Sequence, residues 1–141
     1  MISIANNTGY PLDLKHFETI IKKVLEEEGR EMEISLVFVS PKVIKRLNKE
    51  YRKKNKVTDV LSFYYGKEKG KDYGEIVVCP KRVKKQARRL KIDFEEELER
   101  VVIHGLLHLL GYDHERNEKE AQLMQEKQEF YLAKFKNKKT K

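Results

Sequence analysis

A chain of 141 residues, 39% hydrophobic and 38% charged, suits one hydrophobic core with little room for a second; a single domain over 1–136 with a basic, flexible tail at 137–141 is expected. No run of eighteen apolar residues occurs, and "MISIANNTGY" lacks the basic start and apolar stretch of an export signal, so a soluble, cytoplasmic protein without a membrane role is expected. The single cysteine, Cys79, excludes an intramolecular disulfide, and a net charge of +8, concentrated in "YRKKNK", "KRVKKQARRLK" and "KFKNKKTK", suits either a phosphate-attracting face or a solvated surface.

In chain order, "MISIAN" alternates like a short strand and "LDLKHFETIIKKVLEEEG" has helical spacing ending at Gly29. "MEISLVFVS" reads as a second strand. Ser40 and Pro41 then supply the cap and first position of a helix, "PKVIKRLNKEYR", ending near Arg52. A polar loop leads to the strand "VLSFYY", and a lysine-rich link around Gly66 and Gly70 leads to "YGEIVVC", so these two strands are expected to pair as a hairpin with a long loop. Beyond Pro80 come a basic helix, "KRVKKQARRL", a helix capped by Asp93, "FEEELERVVIHGLLHLLG", and a last helix, "EKEAQLMQEKQEFYLAKFK". Leu98, Val101, Val102, Leu106, Leu109 and Leu110 surround most of the Asp93-capped helix, which marks it as central and buried. Four strands and about five helices in this order predict an α+β fold, with helices over one sheet.

The buried helix carries "HGLLHLLGYDH", which holds three of the four histidines. Residues four apart share a helix face, so His104 and His108 can aim at one point. Gly111 can end the helix in a left-handed conformation and return His114 to the same face. Imidazole suits zinc, and a site of three histidines leaves a position for water, whose pKa zinc lowers to about 7. The spacing matches the H-E-x-x-H-x-x-G-x-x-H motif of metalloproteases except that Gly105 replaces the general-base glutamate, so the usual peptidase mechanism lacks its base. Met124 sits in a helical pattern and reads as core, not as the methionine turn of those proteases. What remains is a metal site beside a basic surface, which points to phosphodiester hydrolysis. His16 has no comparable neighbour in sequence and reads as a surface or half-buried residue.

"HGLLHLLGYDH", together with "LNKEYRKKNKVTDVLSF" and "GEIVVC", resembles the YbeY family of bacterial rRNA-maturation endoribonucleases over nearly the whole chain. Glu75 stands where that family more often has Asp. The resemblance implies a central mixed sheet and a zinc-dependent, single-strand-specific endoribonuclease. It places the activity in maturation of the 3′ end of small-subunit ribosomal RNA and in ribosome quality control. It makes His104, His108 and His114 the ligands of one zinc ion and Arg52 a catalytic or RNA-binding residue. It leaves open whether a ribosomal protein or GTPase partner delivers the substrate.

A guanidinium suits the Arg52 role because it grips two phosphate oxygens, although an arginine near a helix end also serves the helix dipole. Asp59 can orient Arg52 or a ligand histidine, or with Thr58 simply form a turn. Asp113 can assist water activation or bond the backbone of its turn. Cys79 fits packing better than metal binding. Tyr51, Phe63 and Tyr64 suit either base stacking or the core. Two other classes stay open: a non-enzymatic rRNA-binding assembly factor with structural zinc, which lacks an evident fourth ligand, and a metallopeptidase with some other base.

Overall fold

In the computed structural model, which describes residues 1–137, strands β1 (Ile2–Asn6) and β2 (Met32–Phe38) are joined by helix α1 (Leu14–Glu27). Helix α2 (Pro41–Arg52) starts where Ser40 Oγ accepts a hydrogen bond from the Val43 N–H at 3.4 Å. It stops at Arg52 because Lys53 turns left-handed, with φ 57°. Asn48, buried on the same helix, donates through Nδ2 to the Lys56 carbonyl at 3.1 Å and so pins the loop that follows.

Strands β3 (Val60–Glu68) and β4 (Lys71–Val78) form a hairpin. Its connection is a two-residue turn, not a long loop: Lys69 and Gly70 both have positive φ, 52° and 80°, as the twist of a tight hairpin requires. The lysine-rich link belongs to the strands. Its side chains face solvent and need no apolar alternation, and the ladder sets Lys67 opposite Asp72 and Glu68 opposite Lys71, two pairs of opposite charge.

Helices α3 (Pro80–Leu90), α4 (Phe94–Leu109) and α5 (Glu118–Phe135) complete a single α+β domain. The mixed sheet has the order β1-β2-β4-β3, with β1–β2 and β2–β4 parallel and β3–β4 antiparallel. On one face Ile34, Leu36, Phe38, Ile76 and Val78 meet the buried sides of α1, α4 and α5. On the other face Val77, Leu61 and Cys79 pack with Ile44 of α2, so Cys79 is a packing residue whose thiol pKa is raised by burial. Met124 is likewise in the core. Among the described residues no helix is long and apolar enough to cross a membrane. Of the expected flexible tail at 137–141, Asn137 donates its N–H to Glu99 Oε2 at 2.8 Å, and 138–141 lie outside the described residues.

Candidate metal centre

Helix α4 positions the histidines, and each of its ends is specified locally. Asp93 accepts from the Glu96 N–H at 3.0 Å, and Glu95, Glu96 and Glu97 place negative charge at the positive end of the helix dipole. At the other end the Gly111 N–H bonds the His108 carbonyl and the Tyr112 N–H reaches back to Leu107, both at 3.1 Å. This paired closure needs the positive φ of Gly111, 103°. The chain then doubles back and delivers His114 to the face that carries His104 and His108.

Between its ends α4 presses closely on the sheet. A Cβ at Gly105 would lie 2.9 Å from Ile76 Cγ2 and 3.1 Å from both Ser62 Oγ and Val60 Cγ2. One helical turn later Leu109 fills the space over Gly74, where a Cβ would meet its Cδ1 at 2.8 Å. Ser62 Oγ also donates to the Gly105 carbonyl at 2.8 Å. The missing glutamate is thereby explained: the position beside His104 faces the sheet, with no room for a side chain.

His104, His108 and His114 each present one ring nitrogen, and these three atoms lie within 4.8 Å of one another. Two nitrogens on one tetrahedral zinc, each at 2.0–2.1 Å, stand about 3.3 Å apart, so shifts of under about 1 Å per side chain bring these three to one ion. His108 Nε2 and His114 Nδ1 are 3.0 Å apart and share a hydrogen bond. Burial lowers the pKa of His104, with the His114 charge adding to the effect while Gln128 and Asp59 oppose it. Burial likewise lowers that of His108, reinforced by His104, His114 and Arg52. Both rings are therefore held neutral at neutral pH, the form that ligates a metal. The donor set fits a borderline metal such as zinc and leaves a coordination position open.

The histidines open into a cavity of about 230 Å³ whose rim carries Arg52, Lys54 and Lys56. Arg52 is exposed at the end of α2, and among the described residues it makes no hydrogen bond or ion pair, which leaves its guanidinium available to an anion. Asp59 also lines the cavity; among the described residues its carboxylate accepts from Thr58 Oγ1, at 3.4 Å, and forms no bond with Arg52, and it acts on His104 through its charge. Asp113 accepts from the Glu115 N–H at 2.9 Å, so its carboxylate serves the turn. His16 is paired with Glu99 at 2.7 Å, away from the cavity. Tyr51 and Tyr64 are exposed on a neighbouring cavity, and Phe63, which also lines it, packs against the core cluster of Ile44, Leu61 and Val77.

Two residues of the site carry only a weak signal in the sequence. Gln128, buried on α5, accepts at Oε1 from His104 Nδ1 at 2.7 Å, while its Nε2 donates to Glu129 at 3.1 Å and thereby fixes the amide's orientation. The proton of His104 is held on Nδ1 and the lone pair of Nε2 is left for a metal. Arg100 continues this chain from Glu129 at 3.0 Å to Glu97 at 2.6 Å. Glu28, at the end of α1, accepts from the hydroxyls of Tyr112, at 2.6 Å, and Tyr131 and from Lys127 at 3.2 Å. It clamps the turn that carries His114 to α1 and α5. The signal available for both was weak: a polar residue on an otherwise apolar helix stripe, and one glutamate within an acidic run.

Residues 3–136 match the family model described as Endoribonuclease YbeY. A Thermotoga maritima protein named endoribonuclease YbeY is 40% identical over 119 residues, covering 84% of this chain and 78% of the relative. A protein of the same name from Aquifex aeolicus is 43% identical over 106 residues, 74% of this chain and 71% of the relative. The solution structure of a Thermotoga maritima protein superposes with a TM-score of 0.68 at 39% identity, covering 96% of this chain and 89% of its own.

Proposed function

The chain belongs to the YbeY endoribonuclease family, and from that premise we propose that it is a zinc-dependent, single-strand-specific endoribonuclease that matures the 3′ end of small-subunit ribosomal RNA and serves ribosome quality control. The observation that carries this reading is a cluster of three histidine nitrogens within 4.8 Å of one another, open to a cavity rimmed by Arg52, Lys54 and Lys56. His104, His108 and His114 would hold the ion, which when bound supplies Lewis acidity and a water of lowered pKa.

The chain's own residues supply the rest. Gln128 orients His104, and Gly105 brings α4 against β3 so that the histidines face the basic rim. Arg52 grips the scissile phosphate through two N–H donors and neutralises the charge that grows on it as the phosphorus is attacked. Lys54 and Lys56 hold the neighbouring phosphates and make binding fall as salt rises. The substrate partners on this reading are ribosomal RNA and the small ribosomal subunit in the cytoplasm, with delivery by a ribosomal protein or a GTPase as a further part of the proposal.

The test is cleavage of a single-stranded rRNA fragment by the purified protein and by identically purified His114→Ala, with bound metal quantified in both. Loss of both metal and cutting in the variant supports the open three-histidine site as catalyst. Equal cutting by both preparations, or a zinc-loaded wild type that does not cut, replaces it with a non-enzymatic RNA-binding assembly factor.

A further inference from the structure

The outer surface beside the histidine cavity carries aromatic side chains that the core does not use. Tyr51, Tyr64 and Tyr65 are 65%, 54% and 64% exposed. Half-buried Phe63 lies between two of them, with its ring centre 5.4 Å from Tyr51 in an edge contact and 6.5 Å from Tyr65, almost parallel at 21°. Single exposed apolar residues are ordinary, but a contiguous aromatic patch on a small protein marks a binding surface.

Local structure holds this patch open. The β3–β4 register shifts between Tyr64 and Gly66, leaving Tyr65 as the extra residue of a bulge. Its hydroxyl donates to Glu75 Oε1 at 2.9 Å, which, with the Phe63 contact, fixes the ring before any ligand arrives. Tyr51 is the last residue before Arg52 at the end of α2. The rings line a cavity of about 520 Å³ that shares Arg52 and Ser62 with the histidine cavity, so the two lie side by side.

We infer that this patch is a base-stacking subsite, in which Tyr51 and Tyr65 hold unpaired nucleobases of an RNA strand whose phosphate lies at Arg52. The inference rests on the endoribonuclease reading and deepens it by saying how a single strand is told from a duplex. Paired bases are already stacked on one another, whereas unpaired bases can leave the strand and lie on an aromatic face. Charge favours a nucleic acid over a protein here. Arg52 borders both cavities, with Lys54 and Lys56 on the histidine side, and among the described residues lining the aromatic cavity the one carboxylate, Glu75, is engaged by Tyr65.

The experiment measures binding of a cleavage-resistant, 2′-O-methyl phosphorothioate single strand, labelled for fluorescence anisotropy, to metal-loaded wild type, Tyr51→Ala, Tyr65→Ala and Tyr65→Phe. It is repeated with strands carrying one abasic nucleotide at each position in turn. Each alanine variant should bind about tenfold more weakly. Tyr65→Phe, which keeps the ring but loses the Glu75 bond, should recover most of the affinity that Tyr65→Ala loses. One abasic position should weaken wild type by a similar factor and cost Tyr65→Ala nothing further. Metal content and melting temperature should match wild type in all variants, because the rings are exposed. Alanine variants that bind within twofold of wild type while wild type cuts RNA would overturn the stacking subsite alone, and leave the patch to a protein partner. A metal-loaded wild type that neither binds nor cuts single-stranded RNA would overturn the endoribonuclease reading, and the subsite with it.

Discussion

Arg52 lines the histidine cavity and Gln128 bonds His104, and on the proposed function their substitutions should separate binding of metal from use of it. Among the described residues Arg52 makes no hydrogen bond or ion pair with the histidines or a carboxylate, so Arg52→Ala should keep a full complement of metal while RNA cleavage falls about 100- to 1,000-fold, as when one stabilising donor is removed from a developing negative charge. Single-turnover cleavage with metal analysis of the same sample checks both halves. Gln128→Ala should do the reverse at its origin: with the acceptor for His104 Nδ1 gone, metal affinity should weaken about 10- to 100-fold, measured by competition with a chromophoric chelator. Gln128→Glu, which keeps an acceptor, should retain most of it. The two residues were unequally legible. Arg52 stands in a recognisable stretch, and the three histidines with Gly111 form a pattern complete within eleven residues. Gln128 meets His104 across 24 positions and Glu28 meets Tyr112 across 84, so only the packing of α5 and α1 against α4 brings them to the site.

At the level of elements the decisive contact is the close approach of α4 to β3 and β4. Gly105→Ala sets two opposing effects against each other. Alanine favours the helix by about 1 kcal/mol, and overpacking against branched side chains that cannot swing away costs about 1–3 kcal/mol. The neighbours at 2.9–3.1 Å are methyls of Ile76 and Val60 and the hydroxyl of Ser62, all attached to a buried sheet, so the steric cost should win. A net loss of about 1 kcal/mol is expected in urea unfolding. The caps at Ser40 and Asp93 and the stop at Gly111 were readable because a helix end is settled by a few adjacent residues. The turn between β3 and β4 was not, because lysines on solvent-facing strand ends resemble a loop until the partner strand supplies opposite charges. Nor does alternation alone reveal that Tyr51 and Tyr65 flank a cavity instead of filling the core.

Across the whole molecule, Glu28 ties the first helix to the last and to the turn that carries His114. Burial alone would raise its pKa, but the hydrogen bonds from Tyr112, Tyr131 and Lys127 outweigh it and hold the carboxyl below the ordinary 4.5. A depressed folded value means that this group stabilises the fold above about pH 4.5 and that the contribution is lost as pH falls through the folded pKa. Stability measured against pH should therefore decline on the acid side, and Glu28→Gln should flatten that decline while lowering stability at neutral pH. If the variant kept the full acid dependence, the titration would belong to other carboxylates. The compactness of the histidine triad bears on a different balance. Ligands drawn from one short segment remain close together when the chain is denatured, so on the proposed reading the unfolded protein should also chelate the ion through residues 104–114. Metal binds both sides of the folding equilibrium, and only the difference in affinity counts. Saturating zinc should accordingly raise the melting temperature by less than its affinity for the native protein would require, and a peptide of those eleven residues should show the competing affinity directly.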